Sequence, residues 1–115
     1  MKIKSYTKDD VVILEPKGKL MGGPDIGELD EKLYSLLGKK QKKVIIDLGK
    51  TDWMSSSGIA ILIHHHNKFK EIGGNLKLVN LTKKIQQIIA ITKLTLVFDV
   101  YDSMDLALAN LKKTK

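Results

Sequence analysis

The sequence predicts an α/β fold built on a mixed, mostly parallel β-sheet with alternating helices. Three observations carry this. Short apolar, β-branched runs alternate with stretches whose apolar residues recur at helical spacing. The run Val44-Ile45-Ile46-Asp47-Leu48 is apolar on both faces, as expected of a buried parallel strand. Gly22-Gly23-Pro24 and Gly73-Gly74 break the chain between such runs.

The elements follow in order. Residues 2–6 alternate and form a short edge strand, and Asp9-Asp10 is a turn signal. Val11 to Leu14 is a β-branched strand that ends near Pro16 and Gly18. Pro24 suits the first turn of a helix carrying Ile26, Leu29, Leu33, Leu36 and Leu37, with Gly38 as its C-terminal cap. Asp25, Glu28, Asp30 and Glu31 lie near its start, where the helix dipole favours carboxylates. Lys39 to Lys43 is a loop into the strand 44–48. The segment GKTDWMSSSG then leads to a second helix with Ile59, Leu62, Ile63, His66 and Phe69 on one broad face. Gly73-Gly74 ends it, and Leu76 to Val79 is the next strand. Thr82 caps a third helix with Ile85, Ile88 and Ile89. Leu94 to Val100 contains a strand centred on Leu96-Val97-Phe98. Asp102 or Ser103 caps a last helix with Met104, Ala107, Leu108 and Leu111 on one side, and the KKTK end frays. The predicted order is β-β-α-β-α-β-α-β-α, with right-handed crossovers and an antiparallel first strand. No linker, repeat or low-complexity stretch divides the chain, so residues 1–115 read as a single domain.

Composition narrows the function. With no cysteine among 115 residues, disulfides, thiolate metal sites and cysteine nucleophiles are excluded. The start, MKIKSYTKDD, lacks the apolar core of a signal peptide, and no stretch approaches a membrane span. The chain therefore reads as soluble, unexported and cytoplasmic. A formal charge of +7 raises nucleic acid as a partner. Against this, all 20 basic residues are Lys, and Arg is the residue for bidentate contacts to guanine and phosphate. The aromatic content of 5% leaves little to stack bases, so a solvated lysine face is the expectation.

The segment Asp47 to Gly58, DLGKTDWMSSSG, is the most informative. It runs from the end of a buried strand into the start of a helix, where ligands and partners meet open α/β sheets. Trp53 and Met54 supply apolar anchoring. Ser55, Ser56 and Ser57 arrive where backbone N–H groups are free and the dipole is positive. One serine suffices for a cap, so three leave room for a second role, such as phosphorylation.

This segment resembles the signature of the STAS family, in its anti-sigma factor antagonist branch. There a strand ending in Asp-Leu precedes an aromatic-aliphatic pair and then Asp-Ser-Ser-Gly. Asp47-Leu48, Trp53-Met54, Ser56-Ser57-Gly58 and the apolar Ile59 match. Gly18-Lys19-Leu20, Gly73 to Asn80, Leu94 to Phe98 and Tyr101-Asp102-Ser103 resemble other parts of the family pattern, so the similarity spans nearly the whole chain. Ser55 stands where the family usually has Asp.

The resemblance implies a partner switch in bacterial transcription regulation. The unphosphorylated module binds an anti-sigma factor that is itself a serine-protein kinase, which releases a sigma factor. Phosphorylation of the first paired serine, here Ser56, ends binding, and a serine phosphatase resets it. Ser55 and Ser57 are the alternative acceptors. Trp53, Met54, Ser55, Ser56, Ser57 and Gly58 form the implied partner surface. Asp25 lies in the loop the family places beside the serine, as a contact or simply as a first-turn carboxylate. No enzyme activity, cofactor or metal is implied. A STAS scaffold or regulatory subunit of a signalling or lipid-transport complex, without the phosphoswitch, is the alternative that Ser55 supports. A small-ligand or nucleic-acid binder is the second.

Three chemistries are disfavoured directly. His64, His65 and His66 are adjacent on a helix, point about 100° apart and cannot converge on one ion. His66 is expected near the core edge, with the other two more exposed. No Gly-x-Ser-x-Gly elbow or glycine-rich nucleotide loop is present.

Overall fold

Among the described residues ten elements form in the order β1 (Lys2–Lys8), β2 (Val11–Leu20), α1 (Pro24–Gly38), β3 (Lys43–Asp47), β4 (Thr51–Met54), α2 (Ser56–Glu71), β5 (Asn75–Val79), α3 (Lys83–Ile91), β6 (Asp99–Tyr101) and α4 (Met104–Lys112). The computed structural model describes residues 2–21, 23–93 and 98–112, without the side chains of Asp25 and Lys112.

The six strands make one sheet in the order β1-β2-β3-β5-β6, with β4 paired to the far end of β2. Among the described residues only β1 and β2 are antiparallel, joined where Asp9 and Asp10 take φ of 51° and 70°. Those left-handed values make the turn whose twist suits a hairpin, and Asp tolerates them better than most residues. The remaining pairings are parallel.

Both faces of the central strands are covered, which is why β3 and β5 are apolar throughout. Val44 and Ile46 point into a core shared with Leu29 and Leu33 of α1, Leu62 and Phe69 of α2, and Ile85 of α3. Ile45 points the other way, into a smaller core closed by Ala107, Leu108 and Leu111 of α4. Lys77 sits beside Ile45 in register, so a lysine enters this second layer with only 3% of its surface exposed. It is held by Asp99 Oδ2 at 3.6 Å and donates to the Tyr101 hydroxyl at 3.3 Å, whose ring also lies beneath the ammonium.

Four expectations are corrected or refined. The second strand continues past Pro16 to Leu20, because β2 exchanges neighbours there: its pairing with β3 ends at Leu14 and that with β4 starts at Gly18. Pro16 falls in the gap, where its missing N–H breaks no parallel ladder. Gly18, at φ 112°, carries the register shift. The segment predicted as a loop before the second helix contains β4, so the order is β-β-α-β-β-α-β-α-β-α. Gly38 is still helical, and Lys40 takes the left-handed turn at φ 58° instead. A strand forms at Asp99–Tyr101, overlapping the end of the predicted Leu94–Val100 stretch; residues 94–97, which include Leu96 and Val97 of its expected centre, lie outside the described residues. The Thr82 cap is as expected, its side chain accepting from the Ile85 N–H, and Ser103 rather than Asp102 caps α4 by accepting from the Leu106 N–H.

Candidate functional site

The site grows from the carboxyl ends of β2 and β4. These strands run in parallel with Lys19 beside Trp53 and Leu20 beside Met54, so the segments after both leave at the same edge of the sheet. One leads to α1 and the other to α2. Asp47 closes the β3–β4 turn by accepting the Gly49 N–H at 2.9 Å. Thr51 is fully buried and donates its hydroxyl to the Pro16 carbonyl at 3.0 Å. The Thr82 hydroxyl donates in turn to the Thr51 carbonyl at 3.3 Å, which ties the start of α3 to β4.

The three serines have separate fates. Ser55 is extended, at φ −83° and ψ 171°, and is the N-cap of α2. Its N–H donates to the Leu20 carbonyl at 2.8 Å and its Oγ accepts from the Gly58 N–H at 3.3 Å. Ser56 and Ser57 are the first two helical residues and are exposed. Neither side chain has a hydrogen-bond partner among the described residues. Capping is therefore satisfied by Ser55 alone, in the position where the Asp of the signature would do the same.

Gly58 sets how closely this helix start approaches the sheet. A Cβ there would lie 3.0 Å from the Leu20 carbonyl oxygen and 3.1 Å from both Leu20 Cβ and Met54 Cγ. The buried turn thus holds Ser56 on rigid elements rather than on a free loop. Of the expected anchoring pair, only Trp53 is available at the surface, 36% exposed; Met54 is 2% exposed and belongs to the core. Met54 and Gly58 shape the surface from beneath. Asp25 is in the first turn of α1, at the same sheet edge, and its side chain lies outside the described residues.

One neighbour was not legible in advance. Lys84, in the first turn of α3, places its ammonium 5.5 Å from the centre of the Trp53 ring, within cation–π range. The signal for it is weak in sequence, because α3 meets β4 only in the tertiary fold, where the Thr82 hydroxyl also reaches the Thr51 carbonyl.

The histidine run diverges. His64 Nε2 meets the Tyr34 hydroxyl at 2.6 Å, and His65 Nε2 meets Asp30 Oδ1 at 2.6 Å. His66 packs edge-on against Phe98. His65 is fully buried and His66 is 3% exposed, which corrects the expectation that His65 is among the exposed pair. Burial pushes the His65 pKa down against the opposing pull of Asp30. Burial also lowers that of His66, helped by Lys70. No group of three His, Cys, Asp or Glu side chains suited to a metal occurs among the described residues. A cleft of about 610 Å³ lies between α3 and β6, lined in part by Leu81, Gln86, Ile89 and Tyr101, and includes none of the serines. No helix among the described residues is long and apolar enough to cross a membrane.

With this geometry in place, comparison with known proteins is decisive at the level of family. The family model of the STAS domain matches residues 2–107. The chain belongs to the STAS-domain family. A Bordetella bronchiseptica protein that carries the name of an anti-sigma factor antagonist, BtrV, is 26% identical over 85 residues, 74% of this chain and 73% of that protein. Among solved structures, an anti-sigma factor antagonist from Mycobacterium paratuberculosis superposes with a TM-score of 0.84 at 19% identity, over 96% of this chain and 93% of that one. The anti-sigma factor antagonist SpoIIAA in its unphosphorylated form gives 0.75 at 11% identity, over 99% and 100%. The phosphorylated form of SpoIIAA from Bacillus gives 0.74 at 12% identity, over 96% and 99%. The STAS fold read from residues 47–58 and the glycine landmarks is thus the fold this chain adopts, a six-stranded, mostly parallel sheet with four helices.

Proposed function

We propose that this STAS protein is an anti-sigma factor antagonist controlled by phosphorylation of Ser56. In this reading residues 1–115 act as one cytoplasmic module with no catalysis of their own. The unphosphorylated form binds an anti-sigma factor that is also a serine-protein kinase, and a sigma factor is released. The kinase transfers the γ-phosphoryl group of ATP to Ser56 Oγ, whose proton passes to a base of the kinase, and ADP leaves. A serine phosphatase hydrolyses the ester and restores the hydroxyl.

The observation that carries the reading is the division of labour at the helix start. Ser55 takes the cap, and Ser56 presents an unbonded hydroxyl to solvent one residue later. Phosphate adds about −1.5 to −2 charges there. The first turn of α2 holds no acidic side chain, so the helix N-terminus accommodates that charge. Phosphorylation therefore leaves the fold intact and changes only what the surface offers a partner. The superposition on SpoIIAA in both its unphosphorylated and phosphorylated forms supports a fold that tolerates the modification.

The test is binding to the kinase-type anti-sigma factor of the same host by titration calorimetry. Ser56→Ala should retain affinity and Ser56→Asp should lose it. Equal affinity of both variants would replace the switch with a constitutive STAS scaffold, the reading that Ser55 in place of Asp otherwise favours.

A further inference from the structure

We propose that the face around Ser56 docks an acidic protein segment, with Lys84 and Lys19 reading its carboxylates on either side of Trp53. This rests on the reading that the face binds a protein, and adds the partner's chemistry.

Trp53 is the half-exposed centre of the face. On one flank Lys84 holds its ammonium 5.5 Å from the ring centre. On the other, exposed Lys19 is its register partner across the β2–β4 pairing. Among the described residues neither Lys19 nor Lys84 makes an ion pair, whereas nearby Lys50 is already held by Glu15 at 3.3 Å. Asp52 is the exposed carboxylate of β4, and Asp25 in the first turn of α1 is a second acidic residue at this edge. Lys83 and Lys84 also open α3 with no acidic residue in its first turn, an arrangement the helix dipole disfavours. Carboxylates from a partner relieve that repulsion and complement the patch.

The direction of the switch points the same way. If the partner surface is acidic, a phosphate on Ser56 repels it and draws the free lysines to itself, so binding is lost. A basic partner would bind the phosphorylated form more tightly, the reverse of the proposed cycle. A protein is favoured over nucleic acid or an anionic membrane because the patch has no Arg for bidentate phosphate contacts.

Trp53 is the only tryptophan, so its indole N–H is a single reporter at the face. The full chain, isotope-labelled, is titrated at low salt with a synthetic amphipathic helical peptide of Glu, Leu and Ala. A saturable shift of the Trp53 indole signal is expected. Lys84→Glu should weaken binding about tenfold, the effect of turning one close attraction into a repulsion. Lys42→Glu makes the same change in net charge just before the amino end of β3, away from the carboxyl ends that carry the face, and should leave affinity within about twofold. Equal weakening by both variants would reduce the effect to net charge and overturn the inference. So would the absence of any indole shift with the peptide, or a shift produced instead by duplex DNA or phosphatidylserine vesicles. Loss of partner binding in Ser56→Asp alongside unchanged peptide binding in Lys84→Glu would remove this inference and leave the phosphoswitch standing.

Discussion

Replacing Ser55 by Ala separates the capping serine from Ser56, the proposed phosphorylation site. Ser55 Oγ accepts one bond, from the Gly58 N–H at 3.3 Å. Gly58 is buried against Leu20, so water does not readily replace the lost acceptor. Loss of an N-cap hydroxyl costs roughly 0.5–2 kcal/mol. The bond is long, which places this case near the middle, at about 1 kcal/mol. In a chain of 115 residues that lowers the melting temperature by about 4 °C. Ser56→Ala removes an exposed hydroxyl without a partner, so its effect should stay within about 0.5 kcal/mol. Urea denaturation followed by circular dichroism measures both, with equal slopes securing the comparison. A neutral Ser55→Ala, or a Ser56→Ala more destabilising than Ser55→Ala, would refute this assignment of the cap.

Further outcomes follow from the same contacts. Gly58→Ala forces a Cβ to within 3.0–3.1 Å of Leu20 and Met54 and should cost about 1–3 kcal/mol in the same urea assay. Asp99→Asn removes the counter-ion of buried Lys77; because Asp99 itself is 48% exposed, the loss should be about 1–2 kcal/mol, while Lys77→Met should be close to neutral. His65 and His66 both have pKa values below the ordinary 6.5, so the unfolded chain takes up protons before the folded one. Their neutral forms stabilise the fold fully above that value, and stability falls as pH drops through it toward the lower folded values. Urea midpoints measured across that window should decline with falling pH, and a His65→Gln/His66→Leu variant should flatten the slope.

Much of this molecule is legible from local pattern, and the exceptions have physical reasons. The Thr82 cap, the Asp9-Asp10 turn and the doubly apolar strand at Val44 each depend on residues close in sequence. β4 escapes detection because Asp52 and Trp53 are both exposed and its ladder partner is β2, more than thirty residues earlier. Pro16 and Gly18 read as a strand end, yet they mark the exchange of β2 from β3 to β4. His65 lies off the apolar stripe of α2, but α1 covers that flank and supplies Asp30 and Tyr34. At the site, the serine motif and Trp53 are visible in sequence. The allocation of the cap to Ser55 needs the Gly58 amide, and the approach of Lys84 needs the tertiary fold.

The central claim is that Ser56 is the residue a kinase modifies. The direct measurement is phosphosite mapping by mass spectrometry after the purified protein is incubated with ATP and a lysate of its own host. Phosphate on Ser56, with Ser55 unmodified because its hydroxyl is engaged as the cap, is the result this account predicts. Phosphate on Ser55 or Ser57 would contradict the assignment of the switch residue. No phosphate at all, with a control substrate labelled in the same lysate, would contradict the switch itself.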